Sequence, residues 1–310
     1  MNIPSDILRE PPVAAKVAAP ETLPATRLLA WSVRRELWEN RSIYLAPLIA
    51  AALVVFGFLV STVHEPNTWR ALAALEPERL ALQLTIRYGI VALPIIFTAF
   101  TVAAFYCLDA LYGERRDRSI LFWKSLPVSD LTAVLGKAGI PLVVVPLVAA
   151  AIAVATQLII LLLSTAILPA KGISATTLWT ELPLFRMPLV LIYGLFTLAL
   201  WHAPIYGWLL LVSSWARRST FLWAVLPPLA VIFVERISLG TSYFGSLLKY
   251  RLMGGLPEAF VVTVNDHKFD GLPALDPFKF LSSPGLWAGL IVAAALLAAA
   301  VRLRRLREPS

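Results

Sequence analysis

The chain has 310 residues, of which 59% are hydrophobic and only 15% charged, and its mean hydropathy is +0.76. Soluble domains run at about half apolar and a quarter charged, so an ordinary soluble enzyme and a disordered chain are both excluded. One cysteine, Cys107, excludes a disulfide within the chain, and the formal charge of +8 belongs to an integral membrane protein, where basic residues first report orientation.

Residues 1–26 are rich in Pro and Ala, show no periodicity, and read as a flexible cytoplasmic tail. Arg9, Glu10 and Lys16 interrupt the apolar stretch that a secretory signal needs. From Arg27 to Asn40, Leu29, Val33 and Leu37 recur every four residues, flanked by Leu28, Trp31 and Trp38, with Arg34, Arg35 and Glu39 toward the polar side. This pattern predicts an amphipathic interfacial helix over 27–42 that feeds the first membrane span.

A hydrocarbon core about 30 Å thick takes roughly 20 apolar residues per helix. Six uncharged runs make up a predicted transmembrane domain over 43–310, at 43–63, 88–108, 138–168, 187–214, 219–234 and 286–301. The third is too long for one perpendicular span, and Pro141 and Pro146 predict a kink, a tilt or an interfacial lead-in. The fifth carries Pro227 and Pro228, so a neighbouring helix or a wet cavity must cover the carbonyls that the pair leaves free. Between the last two spans, segment 235–284 is expected on the outer side. Tyr243, Leu247, Leu248 and Met253 suit a short helix at the membrane surface, and Gly254, Gly255, Pro257, Pro273, Pro277 and Pro284 break the rest into turns. Asn265, Asp266, Asp270 and Asp276 lack the alternating spacing and terminal Glu of a calcium loop and read as solvated acids.

Seventeen of the 27 Lys and Arg fall in 1–42, 109–137, 215–218 and 302–310, which gives +7 on that side and +1 on the other. Both termini are therefore expected in the cytoplasm. The tail Arg302, Arg304, Arg305 and Arg307 reads as an anchor on anionic lipid in preference to nucleic acid.

Chemistry is sparse. There is no GxxxxGK[ST] phosphate loop, HExxH or GxSxG motif, and His64, His202 and His267 are scattered, so no catalytic residue, cofactor or metal site is expected in this chain. No Asp, Glu, Lys or Arg sits at mid-depth, where an ion-coupled carrier would keep one. Gln157, Tyr193, His202 and Tyr206 are the polar side chains that either line a translocation path or join helices.

The loop 109–130 is the most organised connector. Glu114, Arg115, Arg116, Asp117 and Arg118 are followed by the apolar Ile120, Leu121, Phe122, Trp123 and Leu126; Pro127 then stops the helix, and Ser129 or Asp130 caps the next. A short helix with a charged end and an aromatic knob fits a protein interface anchor or a helix lying on the membrane surface.

The segment from Glu114 to Ser129 resembles the loop after the second span in the membrane-spanning permease subunits of bacterial ABC-2 type transporters, where a helix docks on the ATP-binding subunit. The overall plan is similar too. The resemblance implies an all-α protein of six spans with a cytoplasmic coupling helix between spans two and three. Glu114, Arg115, Arg116, Asp117, Arg118, Ile120, Phe122, Trp123 and Leu126 would meet a separate ABC ATP-binding subunit that carries ATP and Mg. It further implies a second permease subunit, identical or related, and export of an unspecified substrate, since the family's substrates range from lipids and polysaccharides to drugs and ions. The alternative is a non-transporting anchor or sensor that recruits a cytosolic partner through the same loop.

Overall fold

A computed structural model describes residues 25–117, 129–172, 174–261, 264–265, 268–269 and 272–306. The amphipathic pattern near the start folds as α1 (Ala25–Glu39), followed by the apolar α2 (Ser42–His64). Two helices lie between the first predicted span and the second, α3 (Pro66–Ala73) and α4 (Pro77–Ile90), each with Pro in its first turn. Proline is tolerated there because its missing N–H has no intrahelical partner anyway. Then follow α5 (Ala92–Ala110), the short α6 (Tyr112–Arg116) and α7 (Asp130–Gly139), which Ser129 caps through its side chain on the Thr132 N–H.

The long third run contains one π-helical turn, Ile140–Val144, that includes Pro141 and leads directly into α8 (Val145–Ile167). A π turn relieves a proline without leaving the helix, so the run stays helical from Asp130 to Ala170. Beyond a 3-10 turn at Leu168–Lys171 lies α9 (Ala175–Glu181).

The fourth predicted span, 187–214, is built of two helices, α10 (Arg186–Trp201) and α11 (Ala203–Trp215), bent by 49° at His202. Pro204, in the first turn of α11, cannot continue the hydrogen-bond ladder of α10, and the chain restarts there.

Helix α12 (Thr220–Ser238) runs through Pro227 and Pro228 and is the most peripheral of the long helices, with Ala224 its one buried residue. Pro228 has no N–H for the Ala224 carbonyl. The indole Nε1 of Trp208 on α11 donates to that oxygen at 3.0 Å, so a neighbouring helix does cover a freed carbonyl.

Segment 235–284 supplies α13 (Tyr243–Met253), where a short surface helix is predicted, then α14 (Gly255–Ala259) and α15 (Pro277–Ser282). Where only turns are expected, two short antiparallel pairs form: β1 (Phe260–Val261) with β4 (Ala274–Leu275), and β2 (Val264–Asn265) with β3 (Lys268–Phe269). The Asp276 carboxylate accepts from Lys279 N and caps α15, a local structural role. The last element is α16 (Pro284–Leu306).

Small residues let these helices approach. Helix α5 buries Ala92, Ile95, Ala99, Ala103, Cys107 and Ala110 along one face, against Ala149, Ala150 and Ala153 of α8 and the flank of α2. Helix α11 packs along α16, where a Cβ on Gly207 would stand 3.3 Å from the Ala293 carbonyl oxygen. The result is an all-α membrane protein with minor β pairing. Among the described residues, five helices are long and apolar enough to cross a bilayer, or six when α10 and α11 count as one broken span.

Candidate functional site

One end of the bundle gathers charged side chains from four helices. Lys137 of α7 points its Nζ at Glu36 Oε1 of α1 (2.7 Å) and Glu114 Oε1 of α6 (3.2 Å). Arg304 of α16 meets Glu114 Oε2 (2.9 Å) through its terminal nitrogen and Asp130 Oδ1 (3.0 Å) through Nε. The Tyr106 hydroxyl of α5 donates to Glu36 Oε2 at 2.9 Å. Side-chain exposure is 8% for Lys137 and 6% for Arg304, low enough that each charge is held by its partners and not by water. Two cations face three carboxylates, and a cavity of about 420 Å³ lined also by Ser32, Arg35 and Arg305 opens beside them.

The position of the cluster in the chain matters more than its composition. Glu114 lies just before residues 118–128 and Asp130 just after them, so the Arg304 guanidinium ties both stems of that loop to the end of α16. Through Glu114 and Lys137 the tie continues to Glu36 on α1. The first stem is fixed a second time. Ser213 Oγ of α11 accepts the backbone N–H groups of Leu111 and Tyr112, and Arg115 donates to the Ser213 and Ala216 carbonyls at the end of α11 (2.6 and 2.9 Å). A cation on the last carbonyls of a helix satisfies groups with no intrahelical partner.

These contacts divide the nine residues expected to meet a partner. Glu114 and Arg115 face inward on the chain's own helices. Arg116 and Asp117 pair with each other at 3.0 Å on the surface, and Arg116 also approaches Asp109 at 3.7 Å. Arg118, Ile120, Phe122, Trp123 and Leu126 lie outside the described residues. The tail expected on lipid is corrected at one position. Arg302 and Arg305 are exposed, whereas Arg304 is buried in the cluster.

Of the four polar residues of the spans, only His202 and Tyr206 come together, with ring centroids 6.5 Å apart. Gln157 Nε2 donates to the Tyr88 carbonyl, joining α8 to α4, and the Tyr193 hydroxyl donates to Ala259 O, joining α10 to α14. His202 sits in the break between α10 and α11 with its two ring nitrogens near the Leu198 and Leu252 carbonyls. Tyr206 is buried in the central core. At least three of the four hold helices together, and Gln157 alone also lines a large apolar cavity.

At the opposite end, near the break, Arg251 of α13 lies over the Trp201 ring (4.6 Å) and donates to Trp201 O (3.3 Å) and Gly285 O (2.8 Å). Burial lowers its guanidinium from the usual value, and burial followed by the nearby Glu258 carboxylate raises the Tyr250 phenol. Arginine stays charged regardless, so the positive charge rests there on carbonyl dipoles and a π face.

Among the described residues no group of three or more His, Cys, Asp or Glu could hold a metal ion. No family model, no curated protein and no solved structure matches the chain.

Sequence reasoning missed Glu36 and Lys137 altogether and assigned Arg304 to lipid. A usable signal was present at Arg304, which continues the spacing of Ala293 and Ala300 along the buried face of α16, while Arg302 and Arg305 fall off it.

Proposed function

We propose that this chain is the transmembrane permease subunit of an ATP-driven transporter of the ABC-2 type, non-catalytic itself. It works as a homo- or heterodimer with separate ATP-binding subunits that carry ATP and Mg. Six spans place both termini on the cytoplasmic side of a bacterial inner membrane. An even number of crossings is supported by α1 and the end of α16 meeting in one charge cluster. The observation that carries the reading is the Arg304 tie across both stems of the 118–128 loop. An ATPase that docks on the loop and moves would push α6 and α7 together, and buried ion pairs would pass the displacement to α16 and α1 as a unit. Phe122 and Trp123 are the proposed anchors on the ATPase, with Arg116 and Asp117 at the rim.

The test is affinity purification of the full chain from its own host, followed by ATPase assay of what copurifies. A nucleotide-binding subunit whose turnover rises with a transported compound is the expected result. An associated partner without ATPase activity would support the anchor or sensor reading. Trp123→Ala should weaken the complex by at least about tenfold, the scale of an aromatic hot spot; unchanged association would end the assignment of the loop to docking. For topology, cysteines introduced at Asp117 and Arg305 should label from the cytoplasm only and one at Asn67 from outside only, with the buried native Cys107 silent.

A further inference from the structure

Two grooves flank α4 at the end of the bundle away from the charge cluster. One, about 550 Å³, lies between α2, α3 and α4 and is lined by Val54, Gly57, Phe58, Trp69, Gln83 and Arg87. The other, about 640 Å³, lies between α4, α5, α8 and α10, with Gly89, Leu93, Gln157, Met187 and Leu195 among its lining residues. Ile86 and Ile90 line both, so these side chains of α4 form a ridge between the two. Each volume falls in the range of about 300–1,000 Å³ typical of sites for small organic ligands.

Depth fixes what surrounds them. Helix α5 has 19 residues, and at about 1.5 Å per residue it crosses nearly the whole hydrocarbon layer of about 30 Å. Arg87 stands five positions before its start, about 7 Å further along the chain, which is the headgroup level. The buried Trp69 beneath its guanidinium (5.3 Å) sits at the same level, where membrane proteins place tryptophan.

Arg87 is half-buried, and among the described residues its guanidinium has a ring contact with Trp69 but no carboxylate and no hydrogen-bond acceptor. A guanidinium at the mouth of an apolar groove, with no acceptor among the described residues, is complementary to a phosphate. With α5 placed across the bilayer in this way, the apolar walls below lie at the depth of the hydrocarbon.

We propose that the paired grooves hold one two-chain phospholipid from the leaflet around α3 and α4, with its phosphate on Arg87 and one acyl chain on each side of the Ile86–Ile90 ridge. This site goes beyond the transport reading and stands without it, since it needs only the membrane placement of α5.

The glycines provide the test. A Cβ built on Gly57, in the first groove, or on Gly89, in the second, meets nothing within 4 Å, so Gly57→Leu and Gly89→Leu fill the grooves without displacing backbone. The delipidated full-length protein in detergent is titrated with dioleoylphosphatidylglycerol and followed by native mass spectrometry. Dioleoylglycerol, which has the same chains and no phosphate, is titrated in parallel. One bound phosphatidylglycerol is expected, with the diacylglycerol at least about tenfold weaker. Arg87→Gln should bring the phospholipid down to the level of the diacylglycerol, and the double leucine variant should weaken both lipids. Equal binding of the two lipids to the unmodified chain, or unchanged phospholipid binding in Arg87→Gln, would remove the phosphate from Arg87. Unchanged binding in the double leucine variant would remove the chains from the grooves. Arg87→Gln also loses the stack on Trp69, so the leucine variant decides the grooves on its own should Arg87→Gln fail to fold.

Discussion

The two ends of the bundle hold buried cations by different means. At the loop end, Lys137 and Arg304 are matched by Glu36, Glu114 and Asp130 from separate helices. At the far end, Arg251 has backbone carbonyls and a tryptophan ring, and glycines make the room: a Cβ on Gly289 would lie 2.5 Å from its guanidinium, and one on Gly285 2.5 Å from the Tyr250 hydroxyl. An ion-pair network fixes which helices meet, because every charge left without its partner is costly, but buried pairs add little net stability over an apolar core. A cation on carbonyls and a π face has no such all-or-none character. The loop end is thus built to move as a piece, and the far end to pack tightly around one side chain.

The largest effect expected from breaking this contrast is Arg304→Ala. It leaves Glu114 and Asp130 without their shared cation and should cost about 3–5 kcal/mol, read as a large fall in the thermal unfolding midpoint in detergent. A loss below about 1 kcal/mol would mean that water screens the cluster, and the rigid-stem picture would go with it.

Gly289→Leu attacks the far end by overpacking. Arg251 has to leave its slot, at a cost of about 1–3 kcal/mol. In an Arg251→Ala background the same glycine change should cost clearly less, and a double-mutant cycle that turned out additive would show that the slot is not what glycine provides.

Arg251→Met keeps most of the packing on Trp201 and removes the hydrogen bonds to Trp201 O and Gly285 O. Those carbonyls each have a second lone pair, so about 1–2 kcal/mol is expected, well below the loss for Arg304→Ala. Equal losses for the two arginines would erase the distinction between the ends.

The smallest effect is the control. Arg35 and Glu39 form an exposed pair at 2.6 Å on α1, and Glu39→Ala should change stability by no more than about 0.5 kcal/mol, with any effect fading in salt. A larger, salt-independent change would place this pair inside the cluster.

Local pattern made much of the fold legible. Val33 and Leu37, two members of the four-residue recurrence in α1, pack against the core, while Trp31 and Trp38, which flank that recurrence, are exposed. The apolar runs became the long helices, and the spacing of Tyr243 to Met253 marked α13. The break at His202 was missed because an uncharged run reads as one helix, although Pro204 was in view. Helices α3 and α4 were missed because mixed polar composition between two spans suggests a loop; Leu80, Leu84 and Tyr88 nevertheless recur at helical spacing and bury against Ile160 and Leu161.

Composition and periodicity by themselves determined that this is a helical membrane protein, and approximately where its long helices run, because burial in lipid demands uncharged stretches of one length and backbone groups satisfied within each helix. They also marked 109–130 as the connector with chemistry in it. Only the tertiary structure decided which charges of that region face inward. Glu36, Glu114, Asp130, Lys137 and Arg304 are spread over nearly the whole chain, and each alone looks like an ordinary surface residue. A buried charge is tolerated only where its partners converge, and that convergence is a property of packed helices that no local window of sequence contains.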